Sequence, residues 1–394
     1  MNVIVRAADP RREAGLANEL KRAGATALVE LPLVDGYAAR VDDAQLDELR
    51  RSGLKVVPDQ AFHLEELPRP EQPGLEMDSA ARTLGLQQLW DQGLTGKGVA
   101  IAVIDTGVAP HPDFSGRISA FVDLVNNRKD PYDDRGHGTH VAGIAVGSGK
   151  ASQGKYSGAA PEANLVALKV FDHEGNTNSS LIIKAIQFAV ENKERLGIRV
   201  LNISIGAPPQ MSALDDPVVQ AVEAATRSGL LVVCASGNRG PWPDTIDTPG
   251  IAPSALTVGA TNDMNTPDLK DDKVSRFSGS GPTPIDKIMK PDLVAPGENI
   301  VSTGLKGDYV EQSGTSMATP LVSGIAALLY QAHPQVQPKQ MKSTLKGTAQ
   351  RIRSYIEEVQ GKGVIQPLKA KAALAGTPTR VAADVLATRV EPPR

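Results

Sequence analysis

The most restrictive feature of this sequence is a series of apolar runs of strand length, separated by helical stretches, that begins near residue 98. The runs are GVAIAVID (98–105), ANLVALKVF (163–171), RVLNISIG (199–206), LLVVCASGN (230–238) and ALTVGAT (255–261). Uniformly apolar strands are buried on both faces, and intervening helices cover them. The pattern predicts an α/β fold, a mostly parallel sheet with helices on both faces, with sites at the carboxyl ends of its strands.

Composition and charge argue against nucleic-acid and membrane partners. The chain has 394 residues and a formal net charge of −3, so we expect no nucleic-acid partner. No apolar run approaches the length of a membrane span, and the stretch MNVIVRAADPRREAG does not resemble an export signal. Cys234 is the single cysteine, which fits a reducing compartment. We expect a cytoplasmic protein without membrane contact; a secreted protein with a trimmed N-terminus is the alternative.

Residues 1–67 are predicted to form a small α+β unit of their own. The order of apolar and helical stretches is β-α-β-β-α-β, and LKVVPDQAFHL (54–64) is interpreted as its last strand. Residues 68–79 follow as a proline-rich and acidic linker, where proteolysis is expected. The main α/β domain is predicted over residues 80–376, and residues 377–394 form a surface tail.

One serine stands where an alkoxide could be stabilised. Ser316 in GTSMATP (314–320) follows a glycine and opens a long apolar run that is typical of a buried helix. The first N–H groups of a helix have no internal partner, and they stabilise negative charge nearby. Alone, this serine is more simply a helix N-cap.

Three further residues lie at predicted strand or helix ends. Asp105 ends the first apolar run, His137 in GHGTHVAG precedes a helix, and Asn238 ends the fourth run. A nucleophilic serine needs a base, the base needs an orienting group, and an amide can donate to an oxyanion. A turn aspartate, a packed histidine and a turn asparagine are the alternatives. We assign the base to His137, and expect His140 to be structural because it lies inside the first turn.

The motifs VIDTGV, GHGTHVAG, ASGN and GTSMATP resemble the four signature blocks of the subtilisin-like serine proteases, in that family's order of Asp, His and Ser. The resemblance covers about residues 84 to 375. It implies serine endopeptidase activity with Asp105 as orienting carboxylate, His137 as general base and Ser316 as nucleophile. Asn238 and the Ser316 N–H would form the oxyanion hole.

The resemblance also implies a substrate cleft. Ser204, Ile205 and Gly206 would pair with one edge of an extended peptide, and Gly175, Asn176 and Thr177 with the other edge. Asp247 would lie near the floor of the pocket for the residue before the cleaved bond, where it would favour basic side chains. A loop aspartate exposed to water is the simpler interpretation of Asp247.

By the same resemblance, the N-terminal unit is an inhibitory propeptide, the chain is a self-processing zymogen, and the junction lies between residues 64 and 77. Protein or peptide substrates and the chain's own propeptide would be its partners. The chemistry would need no cofactor. Structural calcium remains possible at an unknown site, although the loop GSGKASQGKYSG (147–158) lacks the carboxylates that calcium prefers. We interpret the acidic stretches 123–134 and 265–273 as solvated loops rather than ion sites.

Two other classes compete with an enzyme of this type. A non-catalytic peptide-binding scaffold would keep the cleft without the chemistry, but all four catalytic positions carry the expected residues. A nucleotide-binding α/β protein would need a glycine-rich turn after the first strand. The sequence VIDTGVAPHPD has aspartate and proline there instead.

Overall fold

The computed structural model describes residues 1–7, 15–65, 67, 79–264, 266 and 268–376. These residues form a small N-terminal unit and a larger second unit. The predicted linker lies outside the described residues except for Ser79, and the predicted tail lies wholly outside them.

The N-terminal unit is a four-stranded antiparallel sheet covered by two helices. Its sheet has the order β2-β3-β1-β4. Its elements are β1 (Asn2–Arg6), α1 (Leu16–Arg22), β2 (Thr26–Leu31), β3 (Gly36–Arg40), α2 (Asp43–Arg51) and β4 (Lys55–Pro58).

Successive side chains of β1 point to opposite faces of the N-terminal sheet, and both faces are apolar. Val3 and Val5 pack in one cluster with Leu20 of α1 and Leu49 of α2. Ile4, which points to the opposite face, belongs to the apolar cluster of the second unit. The sheet is therefore covered by its own helices on one face and by the second unit on the other.

The stretch 54–64 is not one strand, which corrects the sequence prediction. The structure divides it into β4, in the N-terminal sheet, and β5 (Ala61–His63), which pairs antiparallel with a strand of the second unit. Asp59 and Gln60 lie between the two strands and bind the second unit. The Asp59 carboxylate accepts the Ser180 N–H at 2.9 Å, and the Gln60 side-chain amide donates to the Pro208 carbonyl oxygen at 3.0 Å.

The second unit contains the remaining elements. Its strands are β6 (Ala100–Asp105), β7 (Ile118–Asp123), β8 (Asn164–Lys169), β9 (Asn176–Asn178), β10 (Ile198–Ile203), β11 (Leu231–Ala235), β12 (Leu256–Asn262), β13 (Lys273–Val274), β14 (Leu293–Pro296), β15 (Ile300–Thr303) and β16 (Tyr309–Gln312). Its helices are α3 (Ser79–Thr83), α4 (Leu86–Trp90), α5 (His137–Val146), α6 (Ser179–Leu196), α7 (Pro217–Arg227), α8 (Thr315–Ala332), α9 (Pro338–Thr348), α10 (Glu357–Gln360) and α11 (Pro367–Ala375).

The central sheet confirms the predicted fold class. Its strands follow the order β7-β8-β6-β10-β11-β12, with β14 and the short β13 both paired to β12. All of these pairs are parallel except the one between β12 and β13. Because β6 lies in the middle with the chain winding outwards on both sides, its carboxyl end is the expected place for a site.

The helices complete the two layers around the sheet. Apolar side chains of α5 and α8 pack in one cluster with one face of the strands, and those of α6 and α7 pack in a second cluster with the other face. None of the helices in the described ranges offers an apolar stretch long enough to cross a bilayer.

Candidate active site

The predicted aspartate, histidine and serine meet at the carboxyl end of the sheet. Asp105 is the last residue of β6, His137 is the first residue of α5, and Ser316 lies in the first turn of α8. His137 Nδ1 lies 2.7 Å from Asp105 Oδ1, and both side chains are buried. A carboxylate at this distance holds the imidazole with its other nitrogen, Nε2, as the proton acceptor.

A glycine permits the close approach of α5 to β6. A Cβ atom added to Gly138 would lie 2.3 Å from the Gly107 carbonyl oxygen, which no side chain could tolerate. The Gly138 N–H instead donates to Thr106 Oγ1 at 2.8 Å. The glycine after the histidine therefore sets the distance between His137 and Asp105.

Ser316 is held beside the segment that follows β10. Its hydroxyl donates to the Ser204 carbonyl oxygen at 3.2 Å, and the Ser204 hydroxyl donates back to the Ser316 carbonyl oxygen at 3.1 Å. The start of α8 is thereby fastened to the end of β10. Ser316 lines the cleft from this position.

The side-chain amide of Asn238 has a defined orientation. Its Oδ1 accepts the Thr315 N–H at 2.9 Å and the Thr315 hydroxyl at 3.0 Å. Because both donors require the oxygen, the Nδ2 group is left to donate on the other side. Asn238 and Ser316 line the same two small cavities. This amide can therefore donate to an oxyanion formed at Ser316.

His140 is bound to the protein framework. Its Nε2 lies 3.0 Å from the carbonyl oxygens of both Ile300 and Val310, and the ring is fully buried. The histidine therefore connects α5 to β15 and β16, in line with the structural interpretation.

The chain's own residues 61–65 lie between the two predicted substrate-pairing segments. On one side β5 pairs with β9 in the register Ala61–Asn178, Phe62–Thr177 and His63–Asn176. The Leu64 N–H continues the ladder by donating to the Gly175 carbonyl oxygen at 2.8 Å. On the other side Leu64 and Glu65 share a cavity with Ser204, Ile205 and Gly206. The segment therefore follows the path predicted for an extended peptide.

Comparison with known proteins shows which family this chain belongs to. The model of the subtilase family of peptidases matches residues 96–366. The chain belongs to the subtilase family. It is 41% identical over 293 residues to serine protease AprX of Bacillus subtilis (strain 168), covering 70% of this chain and 66% of AprX. It is 38% identical over 275 residues to subtilisin Savinase of Lederbergia lenta, covering 70% of this chain and 91% of Savinase.

A solved structure agrees with the family. The S41 psychrophilic protease superimposes with a TM-score of 0.62 at 32% identity, and the match covers 69% of this subtilase and 92% of that chain. The match to M-protease of Shouchella clausii (strain KSM-K16), at 39% identity, spans 61% of that relative and 66% of this subtilase. The chain thus spans slightly less than two thirds of AprX and of M-protease.

Asp247 is buried against the substrate cleft, so the interpretation as an exposed loop residue is wrong. A Cβ atom added to Gly237 would lie 2.3 Å from Asp247 Oδ2, and one added to Gly206 would lie 3.0 Å from it. Asp247 shares its cavity with Glu65 and Ser316. Burial, reinforced by the negative charge of Glu65, raises the pKa of Asp247 to about 6.

The sequence reasoning missed Arg239, the partner of Asp247. Its Nε donates to Asp247 Oδ1 at 2.8 Å, and its Nη2 contacts the same oxygen. The available signal was the arginine directly after Asn238 in ASGNRG. A guanidinium on this carboxylate lowers its pKa against the effect of burial and competes with any basic substrate side chain.

The loop 147–158 is organised by a protein carboxylate. Asp113 Oδ2 accepts the Gly149 N–H at 3.1 Å, and Asp113 Oδ1 accepts the Ala151 N–H at 2.9 Å. The Tyr309 hydroxyl adds a donor to Asp113 Oδ2 at 2.9 Å. Within the described ranges no three His, Cys, Asp or Glu side chains are grouped to hold a metal.

The acidic stretches are less solvated than the sequence suggested. Asp123 is buried and accepts the N–H groups of Val125 and Asn126, each at 2.9 Å. Asp133 similarly accepts the Thr139 N–H at 2.9 Å at the start of α5. Asp272 is buried too, and burial together with the neighbouring aspartates raises its pKa to about 7. The expectation of solvated loops is wrong at Asp123 and Asp272, because these carboxylates are enclosed by the protein, whereas Asp133 is half-buried.

A buried lysine supports the strand end that carries Asp105. Lys169 is the register partner of Asp105 on β8. Its Nζ donates to the Thr106 carbonyl oxygen at 2.6 Å and pairs with Asp134 at 2.9 Å. This subtilase therefore holds the turn after Asp105 with a charged hydrogen-bond donor.

We expect Lys169→Met to destabilise the fold by roughly 1.5–3 kcal/mol, because the Thr106 carbonyl and the Asp134 carboxylate both lose a charged donor. Urea unfolding of the variant in a Ser316→Ala background, which prevents self-digestion, measures the change. Lys129→Met, at an exposed lysine, is the control. Equal unfolding midpoints for the two variants would contradict the role given to Lys169.

We expect Asn238→Leu to lower kcat by about 10²–10³ with little change in KM, a size taken from the equivalent loss in a subtilisin. The physical reason is that the amide donates to charge that forms only in the transition state. Steady-state kinetics on a peptide amide measures it. An equal fall in substrate affinity, with kcat retained, would instead make Asn238 a ground-state binding residue.

Proposed function

We propose that this subtilase is a serine endopeptidase that hydrolyses peptide bonds of protein or peptide substrates through an acyl-enzyme. The observation that carries the proposal is the 2.7 Å contact between His137 and Asp105 in the cleft that contains Ser316. Relatives named serine protease and subtilisin support it. We propose that the chemistry needs no cofactor.

In the proposed mechanism the Ser316 hydroxyl turns from the Ser204 carbonyl oxygen towards His137. His137 takes the proton as Ser316 Oγ attacks the substrate carbonyl carbon, and Asp105 stabilises the imidazolium that forms. The proton then passes to the leaving amine, and water hydrolyses the ester with His137 as base again. The Asn238 amide and the Ser316 N–H stabilise the oxyanion in both halves.

We further propose that the N-terminal unit is an inhibitory propeptide, removed by the enzyme itself. Glu65 lies in both cavities beside Ser316, and Leu67 lies in the cavity that also contains His137. This placement supports cleavage close to residue 66, inside the interval from 64 to 77. Residues 61–64 occupy the peptide path, so the unit would block substrate before and after the cut.

The N-terminal unit is held on the second unit by buried hydrogen bonds and apolar contacts. The carboxylate of Asp59 caps the start of α6, accepting the Ser180 N–H at 2.9 Å and the Ser180 hydroxyl at 2.8 Å. Phe62 and Leu64 are buried in the apolar cluster of the second unit. We propose that the cut unit remains bound until it is degraded.

We also propose a reducing, cytoplasmic location. Support comes from the cysteine content: Cys234 is the single cysteine of the sequence, so the chain has no internal disulfide, as is usual for proteins of reducing compartments. Fractionation of the producing cell, with activity assayed in each fraction, tests the location; activity only outside the cell would refute it.

Phenylmethylsulfonyl fluoride labelling tests the endopeptidase against a non-catalytic scaffold. The expected result is one sulfonyl adduct on the peptide that contains Ser316, found by mass spectrometry in self-processed protein. His137→Ala keeps the serine but removes its base, so it should stay unlabelled even after added protease has removed the N-terminal unit from both proteins. A wild type without adduct, or equal labelling of both proteins, would favour the peptide-binding scaffold.

If Asp247 selects the residue before the cleaved bond, the preference for basic residues there should depend on pH. The pKa of Asp247 is raised, so the carboxyl is neutral below about pH 6 and charged above it. The ratio of kcat/KM for an arginine substrate to that for a leucine substrate should therefore rise about 10- to 100-fold from pH 5 to pH 8. The ratio cancels the titration of His137, which both substrates share.

Two variants test this assignment. Asp247→Asn should give a ratio that does not change with pH. Arg239→Gln should raise the ratio at pH 8, because the competing guanidinium is gone, and should move its midpoint to higher pH because that cation lowers the pKa of Asp247. A wild-type ratio that is flat with pH would remove Asp247 from substrate selection.

A further inference from the structure

A second cavity, of about 660 Å³, lies at the end of the sheet opposite Ser316. It is enclosed by α7, α9 and the loop before β12, and Ala255 and Asp292 beside it directly precede β12 and β14. Four lysines line it: Lys339, Lys342, Lys346 and Lys362. Its size is typical of small-ligand sites.

The lysines of α9 occupy one face of that helix. Lys339, Lys342, Ser343 and Lys346 have the spacing i, i+3, i+4 and i+7 in PKQMKSTLKGT. Residues at this spacing are neighbours on a helix surface, where like charges repel one another. The face is therefore a concentration of positive charge that the fold directs into the cavity.

Behind the cavity, one carboxylate is shared by three ammonium groups. Asp292 lies 2.7 Å from Lys290, 3.2 Å from Lys342 and 2.6 Å from Lys346. The carboxylate and Lys290 are almost completely buried. With Lys290 and Lys346 charged, this cluster holds at least one more positive than negative charge, and Lys342 adds another whenever it is protonated.

The surrounding groups offset this excess only in part. Lys342 is held by the carbonyl oxygens of Pro253 at 2.7 Å and Ala255 at 2.6 Å, and burial with the adjacent lysines lowers its pKa to about 7. Glu223 is the carboxylate among the lining residues, and it accepts the Ser254 N–H at 2.8 Å. Lys362 pairs with Glu357 at 2.7 Å, outside the cavity lining.

Two of the lysines retain donors for a ligand. Among the described residues, Lys339 has no ion-pair partner, and Lys346 contacts Asp292 and also interacts electrostatically with Glu357. The Ser343 hydroxyl lies between them on the helix surface. Two ammonium groups and a hydroxyl therefore line one side of the cavity, and such donors are the chemistry that recognises an oxyanion.

We propose that this cavity is a binding site for a small multivalent oxyanion of the phosphate type. Lys339, Lys346 and Ser343 would contact the ligand, and Lys342 and Lys290 would contribute positive potential from behind. Bound anion would offset the charge excess around Asp292 and stabilise the folded state by mass action. Because the cavity lies at the far end of the sheet, binding should change stability rather than the chemistry at Ser316.

Isothermal titration calorimetry with pyrophosphate on the full chain carrying Ser316→Ala tests the proposal without any reliance on activity. The expected result is one site per chain in the titration and, in thermal melts at constant ionic strength, a saturable rise in Tm with pyrophosphate. A Lys339→Gln/Lys346→Gln double variant should bind at least about tenfold more weakly, because two charge-assisted hydrogen bonds are lost. A Lys97→Gln/Lys129→Gln double variant, at two exposed lysines away from the cavity, carries the same charge change and should bind like the parent.

Two results would overturn the site. One is equal weakening in both double variants, which would show attraction to net charge alone. The other is the same rise in Tm with sodium chloride at matched ionic strength, which would show general screening. Both lysines of the test variant are on the helix surface, so a melting curve without ligand confirms that the variant folds.

Discussion

Ser316→Ala is expected to leave the chain uncut, while the wild type is cleaved once between residues 64 and 77. The reason is that the Ser316 hydroxyl is the proposed nucleophile, and Glu65 already lies beside it in the cleft. Intact mass and N-terminal sequencing of both proteins measure the result. Activity on peptide substrates should fall by roughly 10⁶-fold in kcat, the size known from removal of the same group in a subtilisin.

Ser115→Ala, at an exposed serine of the loop after β6, is the matched control and should process normally. Cleavage of Ser316→Ala at the same position as the wild type would point to a foreign protease and remove the support for self-processing. Failure of both proteins to be cut would refute self-processing under those conditions. Phenylmethylsulfonyl fluoride labelling, carried out after an added protease has removed the N-terminal unit, would then still test the nucleophile. The two proposals can therefore fail separately.

A dilution series distinguishes the route of the cut. Residues 61–64 are paired with β9 of the same chain, so the cut should be intramolecular, with a half-time that does not depend on protein concentration. A half-time that shortens as the protein concentration rises would mean that one molecule cuts another. In that case a trace of wild type should also cleave Ser316→Ala.

Asp105→Asn is expected to lower kcat about 10⁴-fold, with a small change in KM. The side chain is buried and its Oδ1 lies 2.7 Å from His137 Nδ1, so an amide of the same shape can present an N–H to that nitrogen. The imidazole would then hold its proton on Nε2, where it cannot accept one from Ser316. Steady-state kinetics of the processed protein measures the loss.

Processing itself must be separated from turnover in this variant. The Asp105→Asn protein should process slowly, so the cut is completed with a trace of wild type before the assay. Asp105→Ala removes the charge without imposing the wrong tautomer, and it should retain at least as much activity as Asp105→Asn. A loss below tenfold in both variants would exclude Asp105 from the catalytic group.

Much of the site could be predicted because its candidate residues lie in short, recognisable sequence motifs. The residues flanking Asp105, His137, Asn238 and Ser316 are local in sequence, and each segment ends a strand or begins a helix. Parallel strands bring their carboxyl ends to one edge, so motifs far apart in the chain were expected to meet there. Burial of Asp105 and His137 in contact at 2.7 Å agrees with that expectation.

Other features depended on partners that are remote in sequence or on enclosure by the fold. The stretch 54–64 has the pattern of one strand, yet Asp59 binds Ser180 and the chain crosses to pair with β9. Asp247 looked like a solvated loop residue because nothing local shows that Gly206 and Gly237 close over it.

The sequence by itself determined the fold class, the family and the four residues of the proposed chemistry, because strand periodicity and short motifs are properties of neighbouring residues. Only the tertiary structure decided that residues 61–65 lie in the cleft, that Arg239 binds Asp247, and that three lysines surround Asp292. These are contacts between distant segments, and their charges and burial arise only when packing excludes water around them.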